Sequence, residues 1–76
     1  MHTSPQELQA RLMDTNEQFR KLAAEHADYS RRLEELASRR YLTEQEQVEE
    51  VRLKKLKLRR KDQMQMILQQ SAREVA

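Results

Sequence analysis

The stretch Ser38-Arg39-Arg40-Tyr41-Leu42-Thr43-Glu44-Gln45-Glu46 decides the fold. Thr43 and Glu46 stand at the spacing at which a hydroxyl and a carboxylate cap each other's backbone N–H groups at a helix start. Glu44, Glu46, Glu49 and Glu50 crowd the turns that follow, where the helix dipole favours negative charge. A helix that starts in mid-chain requires the preceding one to have ended. The backbone is therefore expected to break over residues 41–43.

On the N-terminal side of this joint, large residues recur at alternating spacings of four and three: Leu8, Leu12, Thr15, Phe19, Leu22, His26, Tyr29, Leu33 and Leu36. That is a heptad seam, widened by Ala23 and Ala37. Ser4, Pro5 and Glu7 supply a capping box with proline at the first helical position. The spacing predicts one helix over residues 5–40, preceded by a flexible 1–4. On the C-terminal side it predicts a second helix over 44–73, with 74–76 frayed. Two helices of similar length joined by a few residues fold back on each other. The expected class is all-α, an antiparallel two-helix hairpin of coiled-coil character, each arm roughly 45–55 Å long. The rival is one helix running through the joint as a ~105 Å rod in a parallel coiled coil.

Composition agrees with long helices and limits the core. The chain has 76 residues, no glycine, and Pro5 as its only proline, which leaves nothing for tight turns or strand hairpins. Charged residues make up 37% and aromatics 4%, so the apolar material for a core is thin. A chain this size hides only ~60% of its unfolded surface even when globular. Such scaffolds need a staple, and without cysteine it cannot be a disulfide. Self-association is what remains. Met1-His2-Thr3-Ser4-Pro5 does not read as a signal peptide, and no apolar run approaches the ~20 residues of a membrane span. A cytoplasmic setting without membrane contact is the resulting expectation.

The second helix carries two apolar stripes. At ~100° per residue, Leu53, Leu56, Met64, Ile67 and Leu68 gather on one side, and Val48, Val51, Leu58 and Met66 on nearly the opposite side. One partner helix cannot cover both. The expected hairpin core is Leu12, Phe19, Leu22, His26, Tyr29, Leu33, Leu36, Leu53, Leu56, Met64 and Ile67. The second stripe is the candidate self-association face, closing a four-helix homodimer. The alternative is that scattered exposed apolar residues need no partner.

These residues carry a resemblance. Phe19-x-x-Leu22-x-x-x-His26, followed by Leu53-Lys54-Lys55-x-Lys57-Leu58-x-x-Lys61-Asp62 and Leu68, resembles the YdcH-like proteins, small bacterial helical hairpins classed as a domain of unknown function. The likeness covers about residues 15–70, and the second-helix motif is its specific part. Ser30 stands where that family tends to have an acid, and Arg60 where it tends to have an apolar residue. The resemblance implies the hairpin and a bacterial cytoplasmic setting, and it implies no activity.

Nothing in the pattern suggests catalysis. Two rods offer no partly dry concave site, and there is no glycine-rich phosphate loop or set of nucleophile, base and oxyanion donors. Neither a cofactor nor a metal is expected, because His26 and His2 are the only histidines and a lone imidazole makes no site. His26 reads either as a pH-sensitive interface switch beside Lys57 or as a boundary residue hydrogen-bonding across the hairpin. Arg52, Lys54, Lys55, Lys57, Arg59, Arg60 and Lys61 form a basic belt, to which Arg20, Lys21, Arg31 and Arg32 add and from which Glu25 and Asp28 subtract. The belt reads as a nucleic-acid contact through phosphates, or as a solvated face paired locally through Glu50–Lys54. Aromatic residues are not interleaved for base stacking, and the net charge is only +2. Met64, Met66, Ile67 and Leu68 form an adaptable docking surface or plain packing. The expected function is therefore a non-catalytic interaction or adaptor module acting on a protein partner, with a nucleic-acid-associated protein as the alternative.

Overall fold

Three α-helices make up the computed structural model, which describes residues 4–75: α1 (Pro5–Thr15), α2 (Glu17–Ala37) and α3 (Glu44–Val75). The expected flexible segment 1–4 lies outside this range except for Ser4, as does Ala76 of the expected frayed end. Helix continues through Val75, two residues beyond the expected end at 73.

The caps explain the boundaries. The Ser4 hydroxyl accepts from the Glu7 N–H at 3.1 Å, with Pro5 at the first helical position. At the start of α3 the box is reciprocal: the Glu46 N–H donates to Thr43 Oγ1 at 3.1 Å, and the Thr43 N–H donates to Glu46 Oε1 at 3.0 Å. α2 ends at Ala37, where the Ser38 N–H reaches the Glu34 carbonyl and its hydroxyl donates to the Glu35 carbonyl at 2.7 Å. The joint thus spans residues 38–43, wider than the expected 41–43.

The uninterrupted helix expected over 5–40 is corrected at Asn16. Its backbone is extended (φ −115°, ψ 107°), and its carboxamide oxygen accepts from the Phe19 N–H at 2.9 Å. Asn16 caps α2 while its own N–H donates to the Leu12 carbonyl at 2.8 Å, closing the last turn of α1. Both faces of the break are satisfied, so interrupting the helix leaves few orphaned backbone groups. Thr15, read as a seam residue, is exposed and donates its hydroxyl to the Arg11 carbonyl instead. Asn16→Ala should cost about 1 kcal/mol, visible in a thermal melt at fixed protein concentration. An unchanged midpoint would mean that the cap does not hold the break.

The break puts α1 where it can pack. Leu8, Leu12 and Phe19 are buried together, with Met64, Ile67 and Leu68 of α3 packed against them. Leu22 and Leu36 are the other buried hydrophobic residues among those described. Of the remaining expected core positions, His26, Tyr29, Leu33, Leu53, Leu56, Met64 and Ile67 are half-buried. Leu8 and Leu68 join the packing although neither was among the expected core residues.

α2 and α3 lie side by side in opposite chain directions. Arg32 reaches Glu49 near the joint, and Glu25 reaches Arg60 farther from it. The longest dimension is 50 Å, about the length of α3 alone at 1.5 Å per residue, so the chain does not form a through-running rod. The radius of gyration, 15.5 Å, exceeds the ~11 Å of a globular chain this size. An elongated shape with five buried hydrophobic residues among those described leaves much of each helix in contact with water.

Candidate functional site

α3 sorts the residues of interest into three directions. Its inward side carries Leu53, Leu56, Arg60, Met64 and Ile67, all half-buried. Its outward side carries Val48, Val51, Leu58 and Met66, which are 60%, 53%, 59% and 67% exposed. Between these lie two open grooves on opposite flanks, and the basic residues divide between them.

The first groove runs between α2 and α3, with a volume of about 940 Å³. Leu33, Leu58, Met64 and Leu68 give it an apolar floor, while Lys54, Lys57 and Lys61 stand along it with His26 and Ser30 opposite. The second, about 850 Å³, lies on the far flank, where Arg52, Lys55 and Arg59 surround Val48, Val51 and Leu56. The belt is therefore not one continuous stripe. Arg60 leaves it altogether: its Nε donates to Glu25 Oε2 at 2.7 Å, and its Nη1 to Gln63 at 3.3 Å. Glu25 is the first cause holding the Arg60 guanidinium charged, with Tyr29 contributing. An arginine at a position read as an apolar place in the packed face is thus accommodated by an ion pair across the helices.

The charges of α2 are similarly committed. Arg32 grips Glu49 with two parallel bonds, Nε to Oε2 and Nη2 to Oε1, both 2.9 Å, and donates from Nη1 to Glu35 at 3.0 Å. Bidentate geometry fixes direction as well as distance, so this contact pins the register of α2 on α3 near the joint. The guanidinium holds the Glu49 carboxyl below the ordinary carboxylate range. Arg39 pairs with Glu46, and Asp28 pairs with Arg31 of its own helix at 3.6 Å, leaving the belt to Glu25. Lys54 reaches Glu50 at 3.6 Å, the i,i+4 contact legible from spacing. The pairing of Arg32 with Glu49 was missed in sequence, because an arginine and a glutamate among many such residues identify no partner until the helix ends are fixed.

His26 sits half-buried on α2, facing the lysines of the first groove. Burial is the main cause lowering its pKa from the ordinary 6.5, followed by Lys57 and Lys61. The folded chain therefore binds this proton less readily than the unfolded one. The His26 contribution is favourable above pH 6.5 and is lost as pH falls through the lower folded value. The melting temperature should decline as the pH is lowered below 6.5, with His26→Gln flattening that slope. Parallel curves for the two proteins would rule His26 out as its source. Release of Glu49 from Arg32 belongs to a separate window, below 4.5.

Among the described residues, no group of three His, Cys, Asp or Glu side chains comes together in a metal-binding arrangement, and no helix is long and apolar enough to cross a membrane. Nor is any polar or charged side chain among them buried. No curated protein matches the chain, and neither does any solved structure. A family model does: residues 19–68, from the buried Phe19 to Leu68 beside it in the core, match the family described as Protein of unknown function (DUF465), and the chain belongs to that family.

Proposed function

We propose that the protein is a non-catalytic interaction module, an antiparallel helical hairpin that acts by protein–protein association and assembles as a homodimer. The observation that carries this reading is the outward face of α3. Four large apolar side chains, each more than half exposed, stand along it in a chain with few buried hydrophobic residues. An apolar stripe opposite the inner packing side is what a helix presents when a second surface covers it. The thin core gives the association a stabilising role as well. An adaptor role fits the open, shallow grooves, which offer helical faces and not an enclosed site. Sedimentation equilibrium of the full chain tests the assembly. Val51→Ser with Leu58→Ser should shift a dimer toward monomer without loss of helicity, because both positions are exposed. A wild-type chain that stays monomeric into the hundreds of micromolar would reject it.

The second reading, nucleic-acid association, draws on cations without carboxylate partners. Arg52, Lys55, Lys57, Arg59 and Lys61 make no ion pair among the described residues, whereas Lys54 and Arg60 do. Phosphate contacts by such residues would give affinity that falls steeply with salt. Replacing Lys55, Lys57 and Lys61 by glutamine should then reduce binding to labelled RNA or DNA and lower the salt slope by about three, as read by fluorescence anisotropy. Binding that survives the triple substitution removes this reading.

A further inference from the structure

The outward face of α3 is complementary to its own reverse, and we propose that it pairs with the same face of a second copy running antiparallel, Lys55 of each against Asp62 of the other. This rests on the self-association reading above and specifies its register. Counting outward from the point between Leu58 and Arg59, the fourth residue on one side is Lys55 and on the other Asp62. The eighth residues are Val51 and Met66, and the fifteenth are Glu44 and Arg73. At ~100° per residue these six fall within one narrow stripe of the helix, opposite the side that packs on α2.

A two-fold axis through that midpoint sets each member of a pair facing its counterpart in the other copy. Lysine then meets aspartate, valine meets methionine and glutamate meets arginine, each contact occurring twice by symmetry. Val48, opposite Gln69, and Leu58, opposite Arg59 beside the axis, are mixed pairs. All of these side chains are exposed. None of the four charged ones makes an ion pair within its own chain among the described residues. A parallel, in-register pairing would set Lys55 on Lys55 and Asp62 on Asp62. The charges thus select against the parallel dimer as well as for the antiparallel one. A two-fold closing over the first groove would bring Lys54, Lys57 and Lys61 of one copy together with those of the other, which disfavours that groove as the dimer face.

Charge exchange tests the register on the full chain. Lys55→Glu puts two carboxylates together at both symmetric contacts, and Asp62→Lys puts two ammonium groups together. Each should weaken dimerisation at least ~10-fold in sedimentation equilibrium at low salt, with helicity unchanged by circular dichroism. The double variant K55E/D62K should recover wild-type affinity. The chain has no cysteine, so Leu58→Cys beside the two-fold axis should form an intermolecular disulfide on mild oxidation, and Lys61→Cys on the flank should not. A double variant as weak as the singles, singles that dimerise like wild type, or efficient crosslinking at position 61 alone would overturn this register and leave self-association standing. A monomeric wild-type chain would remove self-association itself.

Discussion

Phe19→Ala is expected to destabilise the chain by about 3–5 kcal/mol, the largest loss from any single truncation. Phe19 is 0% exposed and lies where all three helices meet, with Leu8 and Leu12 of α1 and Met64, Ile67 and Leu68 of α3 around it. Deleting the ring removes its transfer free energy and leaves a cavity that neighbours on three elements cannot all collapse into. A chain of this length has a total stability of only roughly 4–11 kcal/mol. The melting temperature should therefore fall by about 12 °C or more, measured by circular dichroism at fixed concentration. Hydrogen exchange should also show α1 opening first, since its buried side chains are Leu8 and Leu12 alone. A shift of a degree or two would mean that this junction does not hold the helices together.

Leu36→Ala should cost about 2–5 kcal/mol, by the same cavity argument at the opposite end of α2. Leu36 is 1% exposed and stands one turn beyond Arg32, beside the joint that returns the chain to α3. The two truncations should differ in what opens. Loss of Leu36 should raise exchange at the C-terminal turns of α2 and the first turns of α3, and leave exchange in α1 at its wild-type rate. Because the sites lie at opposite ends of α2, roughly 26 Å apart at 1.5 Å per residue, their effects should add to within a few tenths of a kcal/mol in a double variant that still folds. Strong coupling between them would show that stability is shared along the whole helix pair.

Arg32 has a different role from these leucines. Its two bonds to Glu49 are directional and solvent-accessible, so they fix how α2 sits on α3 more than they hold it there. Glu25 and Arg60 repeat the arrangement farther along. Together they set a register that the apolar residues alone define weakly, because aliphatic side chains tolerate sliding by a turn.

Residues with local consequences could be read directly. Ser4, Pro5 and Glu7, like Thr43 and Glu46, satisfy N–H groups within their own first turn, so spacing alone gave two helix starts. The heptad positions Leu12, Phe19, Leu22 and Leu36 reappear as buried residues for a related reason: a helix turns its side chains by a fixed angle, whatever it packs against. The same rule separated Val48, Val51, Leu58 and Met66 from the inner side of α3. The helix break was legible in principle, because Asn16 followed by an acid is also a start signal. It was overridden by a seam that runs across it from Leu12 to Phe19 without losing step.

The sequence by itself thus determined an all-helical chain, both outer helix starts and the two-sided character of α3, since each depends on contacts within a few residues. Only the tertiary structure decided that helix breaks at Asn16, that α1 closes over Phe19 against Met64, Ile67 and Leu68, and that Arg32 and Arg60 take Glu49 and Glu25. Those choices depend on which side chains, distant along the chain, come within a few ångströms once the joint has turned. A charged helix offers many equivalent partners, and packing geometry selects among them.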